Sequence, residues 1–324
     1  MSAETHRSFA CFGGAVAVHI RGAGPNGGEE DADRCHELLL GAHRGLSRFE
    51  PDSELSRLNR DRREAVPASA LLMALAAAAG EAGEKSGGLV DATLLGEIER
   101  AGYRESLAGP RPAASVLTLA EALAIAPPRR AAGPSPAGGW RHVSIDETTG
   151  CVVRPPGLGL DGGGIAKGLL ADWIAAELAA EPAFAVDCCG DVRVGGSAGL
   201  DRRLLVEDPF GGPPLHELSV REGAAATSGI GRRCWRRADG RPAHHLLDPA
   251  TGEPAFTGLV QVTALAPTAL EAEVLAKVAL LTGSGDAGRW LPHGGVLVAD
   301  DGSAEVVAAA THALRPGPVA KATA

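Results

Sequence analysis

Three consecutive glycines, Gly162 to Gly164, stand directly ahead of Ile165 to Ala179, a segment with the apolar spacing of a helix. Backbone without Cβ atoms lets another group approach closely, and the free N–H groups at a helix start favour an anion such as a pyrophosphate. Lys167 adds a point charge at that start. The run is not a Walker loop, because Lys167 is followed by Gly168 rather than Ser or Thr and the glycine spacing differs. Taken alone, the segment also fits a flexible turn with a solvated lysine.

A rival pattern overlaps it. Gly157-Leu158-Gly159-Leu160-Asp161-Gly162 satisfies GxGxxG, and Asp187 ends an apolar strand a little beyond the usual spacing for a ribose-binding acid, which raises an NAD-dependent oxidoreductase. Against it, Pro155-Pro156 falls where the first strand should run into the loop, and proline cannot continue a central strand. With 44 glycines in the chain, one such match also carries little information.

At 324 residues and 45% hydrophobic content, the chain can build a sizeable core as one large domain or two fused lobes. Aromatics make up only 3%, so Ala, Leu and Val must fill most of that core. A net charge of -9 argues against binding nucleic acid, whose affinity comes chiefly from surplus Lys and Arg. The six cysteines form no CxxC pair and are expected to be reduced, structural thiols. No secretory leader is legible from Met1 to Ser8, and the apolar stretch Ala68 to Ala79 is too short to span a bilayer. A cytoplasmic protein without a membrane anchor is expected.

Periodicity predicts a strand over Phe9 to Ile20, a helix from about Ala32 to Ser47, and a short helix carrying Leu55 and Leu58, N-capped by Asp52 or Ser53. A helix over Ala68 to Lys85 ends at Gly87-Gly88, and Gly109 to Gly139 is a Pro/Ala/Gly-rich stretch with one small helix. Strands are predicted at Arg141 to Ile145, Cys151 to Arg154, Ala183 to Asp187, Leu204 to Glu207, Glu217 to Arg221, Val260 to Ala266 and Gly295 to Ala299, with a last helix over Ala269 to Leu281. Strands and helices mix without strict alternation, which predicts an α+β fold. We expect one domain over residues 1–313, with two lobes and a crossover at about 106–139, and a disordered tail at 314–324.

The segment Asp161 to Asp172 resembles the DxGGxAKGxxxD signature of the FAD:protein FMN transferase (ApbE-type) family. Other segments follow in family order. Ser47 to Asn59 is similar to SxFxxxSExSxLN, Gly87 to Thr93 to GGxxDxT, and Asp187 to Val192 to the family's GGD turn, with Cys189 replacing the first glycine. Thr227-Ser228-Gly229 matches TSG, and His244 to Pro254 matches HHxxDPxTGxP, the most specific element.

The resemblance implies duplicated sheet-and-helix units of the T-fold type, with FAD in the cleft between them. It implies Phe12, Leu89, Val90, Asp91, Asp161, Gly163, Gly164, Lys167, Thr227 and Ser228 as flavin-binding positions. It implies magnesium held by the Gly164 carbonyl and by two residues of the last helix. Here those two are Glu273 and Lys277, where relatives carry Asp and Thr; Lys277 cannot ligate while protonated, and the pair also fits an exposed Glu-to-Lys contact. The implied reaction moves the FMN half of FAD to a threonine hydroxyl of an acceptor flavoprotein and releases AMP. His245 suits acceptance of the hydroxyl proton, Asp248 its orientation, and Lys167 stabilisation of phosphate charge. An FAD-binding or FAD-hydrolysing relative without transfer fits the same residues.

Overall fold

The computed structural model describes residues 4–22, 28–106 and 116–310. In chain order they form β1 (Glu4–Cys11), β2 (Gly14–Arg21), α1 (Gly28–Leu46), α2 (Glu54–Arg60), β3 (Ala65–Pro67), α3 (Ala70–Lys85), α4 (Leu95–Arg100) and α5 (Leu119–Ala124). Next come β4 (Ser144–Asp146), β5 (Cys151–Val153), α6 (Ala166–Glu177), β6 (Ala183–Cys188), β7 (Asp191–Gly195), β8 (Arg202–Val206), β9 (His216–Val220) and β10 (Gly223–Gly229). The chain continues through β11 (Cys234–Arg236), β12 (Pro242–His244), β13 (Leu247–Asp248), β14 (Glu253–Pro254), β15 (Leu259–Ala266), α7 (Ala269–Thr282), β16 (Gly295–Ala299) and β17 (Ala304–Val307). The predicted α+β class holds.

Eight strands form the main sheet in the order β1-β2-β6-β7-β10-β15-β16-β17, and every pairing in it is antiparallel. The single strand predicted over Phe9 to Ile20 is instead a hairpin. Cys11 pairs with Gly14 around a two-residue turn in which Phe12 (φ 53°) and Gly13 (φ 74°) are both left-handed, a twist that matches adjoining strands. A second such turn joins β6 to β7 through Cys189 (φ 60°) and Gly190 (φ 95°). Because β2 pairs with β6, the two tips adjoin, and the Cys189 thiol donates to the Cys11 carbonyl at 3.4 Å.

Helix α7 packs on β10, β15 and α6, and is buried on nearly every face. Each of α6 and α7 caps the other. Asp172 of α6 accepts the Ala269 and Leu270 N–H groups at 2.8 and 2.9 Å, while Glu273 of α7 accepts the Gly168 N–H at 2.9 Å. A Cβ at Gly168 would lie 2.5 Å from the Ala269 carbonyl oxygen, so only glycine allows the helices this close.

A second core forms around α2, α3 and β5. Ser53 N-caps α2 by accepting the Ser56 N–H at 3.0 Å, and Arg154, fully buried, donates to the carbonyls of Leu58 and Asp61 at its far end. Gly87 and Gly88 close α3: the Gly88 N–H reaches back to the Gly83 carbonyl at 2.7 Å and the Gly87 N–H to that of Glu84 at 3.1 Å, with Gly87 at φ 62°. The predicted strand over Arg141 to Ile145 begins only at Ser144. Residues Gly139–His142 form a 3₁₀ turn that lays Trp140 over Gly83 and Gly88. Strand β5 pairs antiparallel with β3 and β4, which removes the parallel βαβ unit that the GxGxxG pattern needs.

Within the Pro/Ala/Gly-rich stretch, residues 107–115 lie outside the described residues, as does the predicted tail. The remainder is tied down, with the Arg130 N–H on the Phe256 carbonyl and the Ala132 N–H on that of Leu281. All six cysteines are free, and all but Cys189 are buried.

Candidate functional site

The glycine run enters α6 through a 3₁₀ turn at Gly162–Gly164. Asp161 shapes it by accepting the Gly163 N–H at 2.9 Å, and the Arg48 guanidinium lies 3.5 Å from the same carboxylate. Arg48 is itself held between the Phe49 and Tyr103 rings. Just upstream, Asn59 clamps Leu160, accepting its N–H at 2.7 Å and donating to its carbonyl at 2.8 Å. The Asp161 N–H donates to the Ala92 carbonyl at 2.8 Å, so residues 47–59, 87–93 and 161–168, far apart in sequence, are fixed to one another.

Beyond the loop, four charged side chains meet. The Lys167 ammonium donates to Asp191 and lies 3.8 Å from Glu273, whose other neighbour, Lys277, donates to it at 2.9 Å. Asp191 also accepts the Thr227 N–H at 3.3 Å, and the Thr227 and Thr263 hydroxyls share a hydrogen bond of 2.8 Å. A Cβ at Gly164 would lie 3.4 Å from the Lys277 side chain, which therefore runs along the glycine loop. Glu273 is 1% exposed and Lys277 8%, so the pair is no surface contact.

Burial works against charge on Lys167, but Asp191 and Glu273 outweigh it and hold the ammonium above its ordinary value. Burial likewise raises Glu273, and the ammoniums of Lys277 and Lys167 reverse this and leave its carboxyl below the usual range. At Asp191 burial prevails and pushes the carboxyl up. The direct ammonium contact and the Thr227 N–H are nonetheless those of an ion pair, and we treat Asp191 as ionised.

His245 stands beside this cluster. Burial drives its imidazole well below the ordinary histidine value, helped by the charges of Arg233, His244, Lys277 and Lys167, and its Nδ1 is buried with no hydrogen-bond partner. Arg233 makes no ion pair or hydrogen bond among the described residues, and a Cβ at Gly13, on the first hairpin tip, would lie 3.8 Å from its guanidinium. His244, by contrast, is wholly enclosed and packs edge-on against Phe256 at 4.8 Å.

The other predicted site residues divide. Asp91 accepts the Thr93 N–H and hydroxyl at 2.9 and 2.6 Å through Oδ1, while its Oδ2 is buried and unpartnered. Leu89 is half-buried beside it, whereas Val90 is core, 6% exposed and packed in the α3 cluster. Phe12 is half-buried at the hairpin tip, edge-on to His43. Ser228 is buried in β10. Asp248 accepts the N–H groups of Gly133 and Ala250 and the Thr251 hydroxyl, the bonds of a turn-former, and none of them runs to His245. Three residues absent from the predicted site adjoin this cluster: Asp191, which the GGD turn could have supplied, Thr263, and Arg233, which no motif marks.

The implied magnesium does not suit these donors. One oxygen of Glu273 holds Gly168 and the other Lys277, and position 277 offers an ammonium. Two unit charges 4 Å apart interact by about 4 kcal/mol at an effective dielectric of 20, and a divalent ion here would face two ammoniums. Among the described residues no cluster of three His, Cys, Asp or Glu side chains is placed to hold an ion. A cavity of about 500 Å³ lies elsewhere, lined by Pro128, Arg129, Phe256 and Asp300 among others. Among the described residues no helix is long and apolar enough to cross a membrane.

Comparison with known proteins agrees with the motifs. The chain is 34% identical over 155 residues to the FAD:protein FMN transferase of Treponema pallidum (strain Nichols), covering 44% of this chain and 42% of that protein. It is 27% identical over 241 residues to that of Salmonella typhimurium, covering 70% and 64%. The match thus spans less than two thirds of either relative's length. Among solved structures, the ApbE protein from Thermotoga maritima superimposes with a TM-score of 0.75 at 24% identity, over 94% of this chain and 97% of that one. Flavin transferase ApbE from Vibrio cholerae gives 0.72 at 22% identity, over 96% and 98%. The model of the ApbE family matches residues 13–298, and the chain belongs to that family.

Proposed function

We propose that the protein is an FAD:protein FMN transferase. The observation that carries this is the meeting of Lys167, Lys277 and the unpaired Arg233 around a partnerless His245 nitrogen, in a family whose curated relatives bear that name. FAD is the substrate. Its pyrophosphate suits the ammoniums and the glycine loop, and the orphaned Asp91 Oδ2 offers an acceptor to a donor group of the ligand.

A threonine hydroxyl of the acceptor flavoprotein attacks the phosphorus of the FMN half. A new P–O bond forms, the P–O bond to AMP breaks, and AMP leaves with that electron pair. The hydroxyl proton passes to His245, which burial and its cationic neighbours keep neutral and able to accept it. Charge gathering on the phosphate oxygens is met by Lys167, Lys277 and Arg233. The bound pyrophosphate also offsets the cations that depress His245, so its basicity rises when substrate is present. No step is routed through a metal.

Incubating the full chain with FAD and a flavoprotein acceptor domain, followed by intact-mass spectrometry, tests the proposal. The acceptor gains the mass of FMN and AMP appears in equal amount. AMP without acceptor labelling would instead identify FAD hydrolysis.

A further inference from the structure

Four charges beside the glycine loop, Asp191, Glu273 and Lys277 buried and Lys167 19% exposed, balance among themselves. The carboxylates of Asp191 and Glu273 face the ammoniums of Lys167 and Lys277, and both Glu273 oxygens already accept hydrogen bonds. Buried charges persist only when paired, so each ammonium here answers a carboxylate that a divalent cation would otherwise have to neutralise. The Lys277 stem runs against Gly164, in the turn that leads into α6, which brings its head to the loop where a pyrophosphate would lie. Arg233 adds a positive charge with no ion-pair partner among the described residues, so the pocket as a whole favours an anion.

We infer that Lys277 is a built-in cation for the diphosphate, and that this chain binds FAD and transfers FMN without a divalent metal. The inference rests on the flavin transferase reading above. Lys277 is a substrate-binding residue in it. An ammonium donates up to three hydrogen bonds, so it can keep its contact with Glu273 while donating to a phosphate oxygen. A bound divalent ion would instead need Lys277 to leave Glu273 and move aside into a packed interior.

The test is an FAD titration of the full chain, followed by flavin fluorescence, in EDTA and in millimolar magnesium, together with manganese binding to the protein alone followed by electron paramagnetic resonance. Dissociation constants for FAD should agree within about threefold between the two buffers, and manganese should stay free. Lys277→Thr should lose about tenfold or more of its FAD affinity in EDTA and regain it with magnesium, and Lys277→Met should lose it in both buffers. The wild-type comparison needs no substitution and stands even if a variant misfolds. An FAD affinity that rises tenfold or more with magnesium, or stoichiometric manganese binding to the wild type, overturns the inference while leaving the flavin reading intact. Failure to bind FAD in either buffer overturns both.

Discussion

His244 and His245 are adjacent in sequence and differ in surroundings. His244 is enclosed beside Phe256, its Nδ1 accepts the Leu246 N–H at 3.3 Å, and burial pushes its pKa down from 6.5 to about 3. The unfolded chain therefore takes up a proton first as pH falls. Stability present above 6.5 is lost as pH drops from there toward 3. At 1.36 kcal/mol per unit, His244 alone should remove about 2 kcal/mol between pH 6.5 and pH 5, and His245 acts in the same direction. Urea unfolding at pH 7 and pH 5 measures this, and a His244→Gln variant should flatten the slope. Equal stability at both pH values would contradict the burial argument. The motif marks both histidines, and the fold sets them apart, enclosing His244 and placing His245 beside Arg233, Lys277 and Lys167. Asp248 likewise looked like a partner for histidine in sequence, because a turn-forming Asp-Pro and an orienting carboxylate have the same residue type. Cys189 was legible as a departure from a glycine pattern, and its φ of 60° gives the reason glycine suits that position.

Helices α6 and α7 show why the signature around Lys167 has the spacing it has. Lys167 supplies charge, Gly168 permits close approach, and Asp172 caps α7, so much of the motif holds the helix that carries Glu273 and Lys277. Gly168→Ala would put its Cβ 2.5 Å from the Ala269 carbonyl oxygen and 2.7 Å from the Leu270 Cα. Since backbone cannot yield as a side-chain tip does, we expect a loss of about 1–3 kcal/mol in chemical denaturation. FAD binding should weaken along with it, because Glu273 leaves its cap. Unchanged stability would mean that the helices slide apart at no cost. Most helices were legible from apolar period, and the α2 cap at Ser53 from its residue type, whereas the Ser69 cap of α3 fell inside the helix predicted from Ala68. The β1–β2 hairpin was not, because Phe12 stands at a left-handed turn position where Asn or Gly would have signalled it.

At the scale of the whole molecule, the antiparallel sheet brings two hairpin tips together, and α7 carries its buried charges to the glycine loop. The α+β class was legible, but the strand order was not, since β2 pairs with β6 across more than 160 residues that no local pattern spans. FAD binding only to the folded state should raise stability by about 2.7 kcal/mol at a hundred times its dissociation constant, which thermal melts with and without FAD report. No shift at saturating FAD would count against the site. The central claim is that cations hold the diphosphate while His245 moves the proton, and it is tested most directly by the single-turnover transfer rate of His245→Ala at saturating FAD. The account predicts a loss of about a hundredfold to ten-thousandfold with FAD still bound. Transfer at the wild-type rate would contradict it, leaving His245 a structural histidine.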